Sequence, residues 1–325
     1  MNSPRRSWPT SATGSWTTAE AWAVNGPGRT TTSVSPLGRS GLIAEVAVVV
    51  GSEREATWIV ERAESHTGDP GAVAALAHTL AVRRAKGEPL QYVLGTWQFR
   101  NLELGVDRRV LIPRPETEQV VEVALGALDQ IAADRGQASG PLICVDLGTG
   151  SGAIALSLAV EGPRTGQPVE VWATDASTDA LEVARANLRA LASTDDAAAG
   201  RVTVVEGSWF QALPAELARR VHLIVSNPPY VTEDEYDSLD PGVRDWEPVS
   251  ALVAGRGRGG VAGMSDIEQV VAGASHWLRP SGALVVELAP SQAYASIDAA
   301  RRAGFSQVGT ARDLAGRVRM LVAVR

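Results

Sequence analysis

Four consecutive residues, Asn227-Pro228-Pro229-Tyr230, carry groups suited to methyl transfer onto a poorly nucleophilic nitrogen. The lone pair of an amide or arylamine nitrogen is delocalised, so an enzyme must hold the NH₂ group with that lone pair aimed at the methyl carbon. The Asn227 side-chain oxygen and the Pro228 carbonyl can accept its hydrogen bonds. Tyr230 offers a flat face to a planar group, and the prolines stiffen the turn. The tetrapeptide therefore predicts an amino-methyltransferase that works by positioning.

A glycine-rich segment, Gly148-Thr149-Gly150-Ser151-Gly152, follows an apolar run that contains Asp146. Glycines let the backbone turn sharply and approach a ligand, and the helix that opens there supplies free N–H groups. Gly148, Gly150 and Ala153 also fit the dinucleotide-binding pattern. The third glycine at Gly152 and the preceding acid favour S-adenosylmethionine over NAD. On this segment alone a methyltransferase is favoured, and a dehydrogenase stays open.

Asp175 ends the next apolar run and is a second candidate for binding the cofactor. A carboxylate at this position can accept hydrogen bonds from both ribose hydroxyls of a nucleoside. That role serves NAD and S-adenosylmethionine equally, and a simple helix cap before Ala176 is the alternative. The choice between cofactors therefore rests on the tetrapeptide at Asn227.

Short apolar runs alternate with amphipathic segments after Gly140, which is typical of a parallel sheet covered by helices on both faces. We therefore predict an α/β fold. The predicted strands are Leu142–Asp146, Val169–Thr174, Val202–Val205, Leu223–Ser226, Leu284–Leu288 and Met320–Val324, and the predicted helices are Gly152–Val160, Thr178–Leu191 and Ser265–Leu278.

The rest of the chain divides by composition. Residues 1–40 are rich in Ser, Thr, Gly and Pro without periodicity, so we predict a disordered tail, with docking onto a partner as the alternative. Residues 41–88 are predicted to form a helical domain and residues 89–112 a β-hairpin linker. Residues 113–325 are then the catalytic domain.

Composition excludes several kinds of chemistry. The chain has 325 residues, a formal net charge of −7, one cysteine and four scattered histidines, and Lys86 is its sole lysine. A disulfide framework is impossible, and no spacing typical of a metal site occurs, so we expect no metal. The acidic balance argues against a general nucleic-acid-binding surface. No apolar run is long enough for a membrane span, and we expect a cytoplasmic protein.

Several blocks of this chain resemble the release-factor glutamine methyltransferases (HemK/PrmC). The resemblance runs from about Gly87 to the C-terminus. Asn-Pro-Pro-Tyr is shared with adenine-N6 DNA methyltransferases, whereas the blocks before residue 120 are more specific. The matching blocks are Glu88–Gly95, Leu111–Glu118, Asp146–Ala155, Ser226–Tyr230, Glu247-Pro248 with Ala251-Leu252, and Asp313–Arg317.

The resemblance implies transfer of a methyl group from S-adenosylmethionine to the glutamine side-chain nitrogen in the Gly-Gly-Gln loop of peptide chain release factors. It implies a Rossmann-like, seven-stranded class I methyltransferase sheet with a small N-terminal helical domain. Cofactor contacts are implied at Gly148 to Gly152, Asp175, Trp209 and Asn227, with Trp209 stacking on adenine or, alternatively, belonging to the core. The implied substrate contacts are Asn227, Pro228, Pro229 and Tyr230, of which Asn227, Pro228 and Tyr230 would be catalytic.

Two segments depart from the family pattern. Ser208 stands where an acidic residue is usual, and Arg256 and Arg258 reverse the local charge after the Glu247-Pro248 block. Arg114 and Glu247 are further candidates, for anchoring the linker or for positioning the substrate loop.

Two alternative functions stay open at this point. One is adenine-N6 methylation of DNA or RNA with the same tetrapeptide, although no spare segment offers a recognition domain. The other is a non-catalytic nucleoside-binding protein, against which the intact Asn227-Pro228-Pro229-Tyr230 argues. The favoured prediction is a monomeric protein-glutamine N5-methyltransferase that contacts release factors and neither nucleic acid nor membrane.

Overall fold

A computed structural model describes residues 38–136 and 140–325. The predicted disordered tail therefore lies outside the described residues except for its last three. The helices are α1 Arg39–Val50, α2 Glu53–His66, α3 Pro70–Ala85, α4 Leu90–Leu94, α5 Pro115–Arg135, α6 Ala153–Glu161, α7 Thr178–Ala192, α8 Asp196–Ala199, α9 Glu233–Tyr236, α10 Pro241–Arg244, α11 Ser265–Trp277 and α12 Ala293–Arg302. The strands are β1 Thr96–Phe99, β2 Leu102–Gly105, β3 Leu142–Leu147, β4 Val169–Asp175, β5 Val202–Glu206, β6 Val221–Ser226, β7 Leu278–Glu287, β8 Gln307–Arg312 and β9 Val318–Val324.

The centre of the molecule is a seven-stranded sheet in the order β5-β4-β3-β6-β7-β9-β8. Its strands run parallel except for β9, which is antiparallel to both of its neighbours. One apolar cluster packs α5 and α6 on one face, and another packs α11 and α12 on the other. This arrangement confirms the predicted α/β fold with its Rossmann-like seven-stranded sheet.

The strand order reverses between β3 and β6. The chain passes from β3 outward through β4 to β5 and then returns to place β6 against the other side of β3. A crevice opens outside the carboxyl ends of parallel strands at such a switch point, and ligands bind there. The glycine-rich segment follows β3 and the Asn-Pro-Pro-Tyr segment follows β6, so the topology brings both to one crevice.

The N-terminal helices form a unit with its own core. Apolar residues of α1, α2, α3 and α4 bury one another in a separate cluster that includes Val46, Ile59 and Ala77. The hairpin β1–β2 follows. A fourth cluster packs Val106 and Ile112, from the stretch that leads to α5, against Val183 of α7. The same cluster includes Tyr92 of α4, so it joins the N-terminal helical unit to the sheet domain.

The elements differ from the predictions in several places. Helix α12 and the short helices α8, α9 and α10 were not predicted. The hairpin is preceded by the short helix α4, which is too brief to show a periodic pattern and stops at Gly95 in a left-handed conformation. Strand β8 was not predicted because it is an edge strand whose side chains are half-exposed or exposed. Leu278 begins β7 rather than ending α11. Within 38–136 and 140–325, no helix has the length and apolar character that crossing a membrane requires.

Candidate functional site

A cavity of about 490 Å³ lies at the switch point. It is lined by the turn after β3, by residues that follow β4, β5 and β6, and by the start of α5. Several separate stretches of chain, which also include Pro248 and Asp266, therefore meet around one space at the carboxyl edge of the sheet. This is the position that the topology dictates for a ligand.

The glycine-rich turn is shaped by left-handed backbone. Gly148 and Gly150 have φ of 72° and 55°, values that residues with a Cβ rarely adopt. The N–H groups of Gly148 and Thr149 both donate to the Thr174 carbonyl at 2.9 Å, which ties the turn to β4. Gly152 caps α6 and lies behind the turn, since a Cβ there would meet the Leu156 side chain at 3.3 Å.

Asp146 is fully buried beneath this turn. One of its oxygens, Oδ2, accepts hydrogen bonds from Thr149 Oγ1 at 2.6 Å and from the Ala155 N–H at 3.1 Å. The other oxygen, Oδ1, is buried without a hydrogen-bond partner among the described residues. Burial raises the pKa of the Asp146 carboxyl to about 7, and the two hydrogen bonds oppose that shift. An unpartnered buried carboxylate oxygen is a site where a positively charged or hydrogen-bonding ligand group gains free energy.

Asp175 stands at the end of β4 and lines the cavity. Its Oδ2 accepts from the Gly150 N–H at 2.9 Å, and its Oδ1 accepts from the Ser177 N–H at 2.9 Å. Burial raises the pKa of the Asp175 carboxyl, and these backbone hydrogen bonds partly offset the shift. Each carboxylate oxygen has a further lone pair, so two ribose hydroxyls can still be accepted.

Trp209 and Ser208 line the cavity after β5. Trp209 has a φ of 49°, and its carbonyl accepts from Thr174 Oγ1 at 3.1 Å. A Cβ built on Gly148 would lie 3.6 Å from the Trp209 ring. The indole therefore borders the glycine-rich turn, while part of it packs against the apolar cluster under α11 and α12. Both predicted roles, stacking face and core residue, fit this position.

The Asn227 side chain belongs to a chain of hydrogen bonds. Asn227 Nδ2 lies 3.2 Å from Thr117 Oγ1, and Thr117 Oγ1 donates to Glu287 Oε2 at 2.7 Å. The hydroxyl of Tyr230 donates to the other oxygen, Glu287 Oε1, at 3.1 Å. Burial raises the pKa of the Glu287 carboxyl, and the hydrogen bonds from Thr117 and Tyr230 oppose that shift. One buried carboxylate thus holds both ends of the Asn-Pro-Pro-Tyr segment.

The backbone of Tyr230 is held independently. The buried Gln292 side chain donates from Nε2 to the Tyr230 carbonyl at 2.8 Å and to the Gly263 carbonyl at 3.0 Å. Gly263 has a φ of 70°, and a Cβ there would lie 2.5 Å from the Tyr230 carbonyl oxygen. Gly263 therefore leaves space for the Tyr230 carbonyl in the turn after Pro229, which a residue with a Cβ would fill.

Arg114 and Glu247 form an ion pair at the cavity wall. The buried Glu247 accepts from the Arg114 guanidinium and from the Ile112 N–H, the latter at 3.1 Å. Burial raises the pKa of Glu247, and the Arg114 charge opposes that shift. Arg114 lines the cavity next to Pro248 and also anchors the linker, so it fits both roles that its position in the sequence indicated.

The structure gathers most of the predicted site residues around the cavity. Those that line it are Gly148, Thr149, Gly150, Ser151, Asp175, Trp209, Asn227 and Pro229. Gly152, Pro228 and Tyr230 are not among the lining residues. Pro228 is buried, and Tyr230 is half-buried behind Asn227. The roles assigned to all of these residues stay predictions.

Sequence reasoning did not single out Thr117, Glu287 and Gln292. Glu287 offers a signal in retrospect, since it is an acidic residue at the end of β7, after the apolar run that begins at Ala283. Thr117 lies within one of the family-specific blocks but has no obvious chemistry. Only the fold brings it to Asn227, which is 110 residues away.

The two arginines that depart from the family pattern lie outside this cavity. Arg256 and Arg258 line a separate groove beside α11 and α12, together with Glu268 and Arg302. In the part of the chain that the structure describes, no cluster of three or more His, Cys, Asp or Glu side chains could hold a metal ion.

Comparison with known proteins identifies relatives of this chain. Residues 137–239 match the family described as "Methyltransferase small domain". The release factor glutamine methyltransferase of Gloeobacter violaceus is 37% identical over 273 residues, covering 82% of this chain and 87% of its own. That of Burkholderia pseudomallei is 41% identical over 263 residues, covering 80% of this chain and 83% of its own.

Among solved structures, a methyltransferase from Pyrococcus furiosus aligns with a TM-score of 0.46 and 16% identity. The alignment covers 69% of this chain and 89% of that one. The sequence matches extend over most of both chains and include the segments that form the cavity. The chain belongs to the release factor glutamine methyltransferase family.

Proposed function

We propose that this chain transfers a methyl group from S-adenosylmethionine to the side-chain amide nitrogen, N5, of the glutamine in the Gly-Gly-Gln loop of peptide chain release factors. The relatives at 37% and 41% identity are named for the release factor and the glutamine. The sequence motif and the cavity support the same chemistry independently.

The observation that carries the proposal is the pair of free acceptors at the end of β6. Among the described residues, neither Asn227 Oδ1 nor the Pro228 carbonyl accepts a hydrogen bond. Two acceptors on adjacent residues match the two hydrogens of a primary amide. Asn227 lines the same cavity as the glycine-rich turn, and Pro228 follows it directly in the chain. An amide held by these two acceptors would therefore face a group held by that turn.

The residues around the turn fit S-adenosylmethionine. Gly148 and Gly150 leave room for close approach of a ligand, Asp175 offers acceptors to ribose hydroxyls, and Trp209 offers a ring to adenine. The unpartnered Asp146 Oδ1 lies beneath the same turn. The cofactor supplies an electrophilic methyl group on a positively charged sulfur.

The protein's own residues then act by positioning. Hydrogen bonds to Asn227 Oδ1 and to the Pro228 carbonyl would fix the amide plane and direct the nitrogen lone pair into the cavity. Such orientation contributes on the order of 7–11 kcal/mol in favourable cases. The acceptors also stabilise the positive charge that develops on the nitrogen. The proton that the product must lose can pass to water.

The division into residues 41–88, 89–112 and 113–325 and the monomeric state are part of the proposal. The separate apolar core of α1 to α4 supports an N-terminal domain that contacts the release factor. We further propose that the protein acts in the cytoplasm, without direct contact with nucleic acid.

The test is incubation of the protein with labelled S-adenosylmethionine and purified release factors. We expect label in the release factor and none in a variant whose Gly-Gly-Gln glutamine is replaced by alanine. Asn227→Ala should reduce transfer to a small residual rate while S-adenosylmethionine still binds. Label that enters nucleic acid instead would favour adenine-N6 methylation, and full transfer by Asn227→Ala would refute the role of Asn227.

A further inference from the structure

Asn227 can serve the target amide only if its own amide faces the right way. Its oxygen and nitrogen are nearly the same size, so shape alone does not distinguish the two orientations. If Nδ2 faced the cavity, it would oppose the N–H groups of the target instead of accepting from them. Something in the protein must therefore select the orientation.

The selection begins at Glu287. Its side chain is 1% exposed, and it accepts from two hydroxyls, those of Thr117 and Tyr230. The Thr117 hydroxyl donates to one oxygen of Glu287 and the Tyr230 hydroxyl donates to the other, so both hydroxyls act as donors. Thr117 has a single hydroxyl hydrogen, and its hydrogen bond to Glu287 uses that hydrogen.

The direction of this hydrogen bond then determines which amide atom of Asn227 faces Thr117. With its hydrogen committed, Thr117 Oγ1 presents a lone pair to Asn227 across 3.2 Å, which only the Nδ2 group can satisfy. The opposite branch of the amide, Oδ1, must face away from Thr117. Since Asn227 lines the cavity, this leaves an acceptor for the target.

We infer that Thr117 and Glu287 are positioning residues, which orient the Asn227 amide so that its oxygen, rather than its nitrogen, meets the target NH₂ group. The inference rests on the proposed function. It adds that the same carboxylate fixes the Tyr230 ring, so the acceptor and the flat face are set together. Thr117 is 4% exposed and Glu287 less so, which shields the relay from competing water.

The first test is kinetic. Thr117→Val keeps the side-chain shape and removes the hydroxyl, so we expect kcat to fall about tenfold to hundredfold with S-adenosylmethionine affinity unchanged. Thr117→Ser retains the hydroxyl and should restore most of the rate. Thr79→Val is the matched control, because the Thr79 hydroxyl donates only to the Ala75 carbonyl on the exposed side of α3. Thermal unfolding of each variant separates loss of fold from loss of rate.

A double-mutant cycle shows whether Thr117 acts through Asn227. If it does, Thr117→Val should cause little further loss in an Asn227→Ala background. An equal loss in both backgrounds, or a wild-type kcat in Thr117→Val, would overturn the inference.

The second test does not depend on activity. The chain contains five asparagines, so selective ¹⁵N-asparagine labelling gives five side-chain amide pairs, and the Asn227 pair is the one lost in Asn227→Ala. We expect slow hydrogen exchange for this pair in the wild type and in Thr117→Ser, and faster exchange in Thr117→Val. Equal exchange in all three would refute the relay. Failure of the wild type to methylate release factors would refute the proposed substrate and leave this test intact.

Discussion

The Gly150 N–H donates to Asp175 Oδ2 across 2.9 Å, which joins the turn after β3 to the end of the neighbouring strand β4. The second carboxylate oxygen accepts from the Ser177 N–H and so also shapes the start of α7. Asp175 therefore acts on the protein even before any ligand binds. A helix cap and a ribose acceptor, which the sequence presented as alternatives, are compatible at this position.

Asp175→Asn is expected to weaken S-adenosylmethionine binding by about tenfold to hundredfold, because hydrogen bonds to a charged acceptor contribute on the order of 1.5–3 kcal/mol. An amide has one acceptor oxygen, and its NH₂ group would oppose either Gly150 or Ser177. Isothermal titration of the cofactor measures the effect. Asp195→Asn is the matched control, since Asp195 caps the short helix α8 through the Ala198 N–H. Equal affinity in both variants would mean that Asp175 only caps.

Trp209→Leu is expected to weaken cofactor binding by about tenfold, because stacking of a base on an aromatic ring contributes roughly 1–3 kcal/mol. Trp277 provides the matched comparison. It is also partly buried against the same apolar cluster and stacks on Phe210 with ring centroids 6.2 Å apart. If Trp209 is only a core residue, both Trp→Leu variants should lose stability and neither should lose affinity.

Local sequence patterns could predict much of this fold. The strands that carry the site are short apolar runs, and the turn residues that follow them have distinctive chemistry. For this reason the sequence alone identifies the glycine-rich turn, Asp175 and Asn227 as candidate site residues. The sequence did not predict the edge strand β8, because its side chains are largely exposed and such strands lack an apolar pattern.

Long-range polar partners could not be predicted in the same way. Thr117 and Glu287 are 170 residues apart in sequence and meet only because α5 packs on β7. A threonine in a helix and a glutamate at a strand end each have several ordinary roles. Their joint effect on Asn227 depends on which atom donates to which, and only the three-dimensional structure shows this.

Asp146→Asn is expected to change how stability depends on pH. Burial raises the pKa of Asp146 to about 7 from its ordinary value of 3.8, so the folded protein keeps this proton at pH values where the unfolded chain has lost it. The free energy of unfolding therefore falls as pH rises through that interval, by at most about 1.4 kcal/mol per pH unit from this group. Asparagine has no proton to lose.

Urea unfolding of both proteins at about pH 6 and about pH 8 tests this linkage. The free energy of unfolding of Asp146→Asn minus that of the wild type should be larger at the higher pH, because only the wild type loses the contribution of Asp146. Contributions from other groups cancel in this difference. A relative stability that is independent of pH, or that falls with rising pH, would show that Asp146 is ionised in the folded protein throughout.

Gly263→Ala is expected to abolish most methyl transfer without preventing cofactor binding. A methyl group there would lie 2.5 Å from both the Tyr230 carbonyl oxygen and Gln292 Nε2, the two atoms whose hydrogen bond holds the Pro229-Tyr230 turn. The collision must displace Tyr230 and with it the adjacent acceptors.

Gly304→Ala is the matched control, since Gly304 has a φ of 86° with nothing within 4 Å of the added carbon. Both variants should lose about 1–2 kcal/mol of stability from left-handed backbone, and Gly263→Ala should lose more because of the collision. Only Gly263→Ala should lose kcat, by about tenfold or more if misplacement of the acceptors is as costly as in other positioned reactions. Equal kcat in the two variants would show that the turn tolerates the displacement and that the placement of Tyr230 does not limit the reaction.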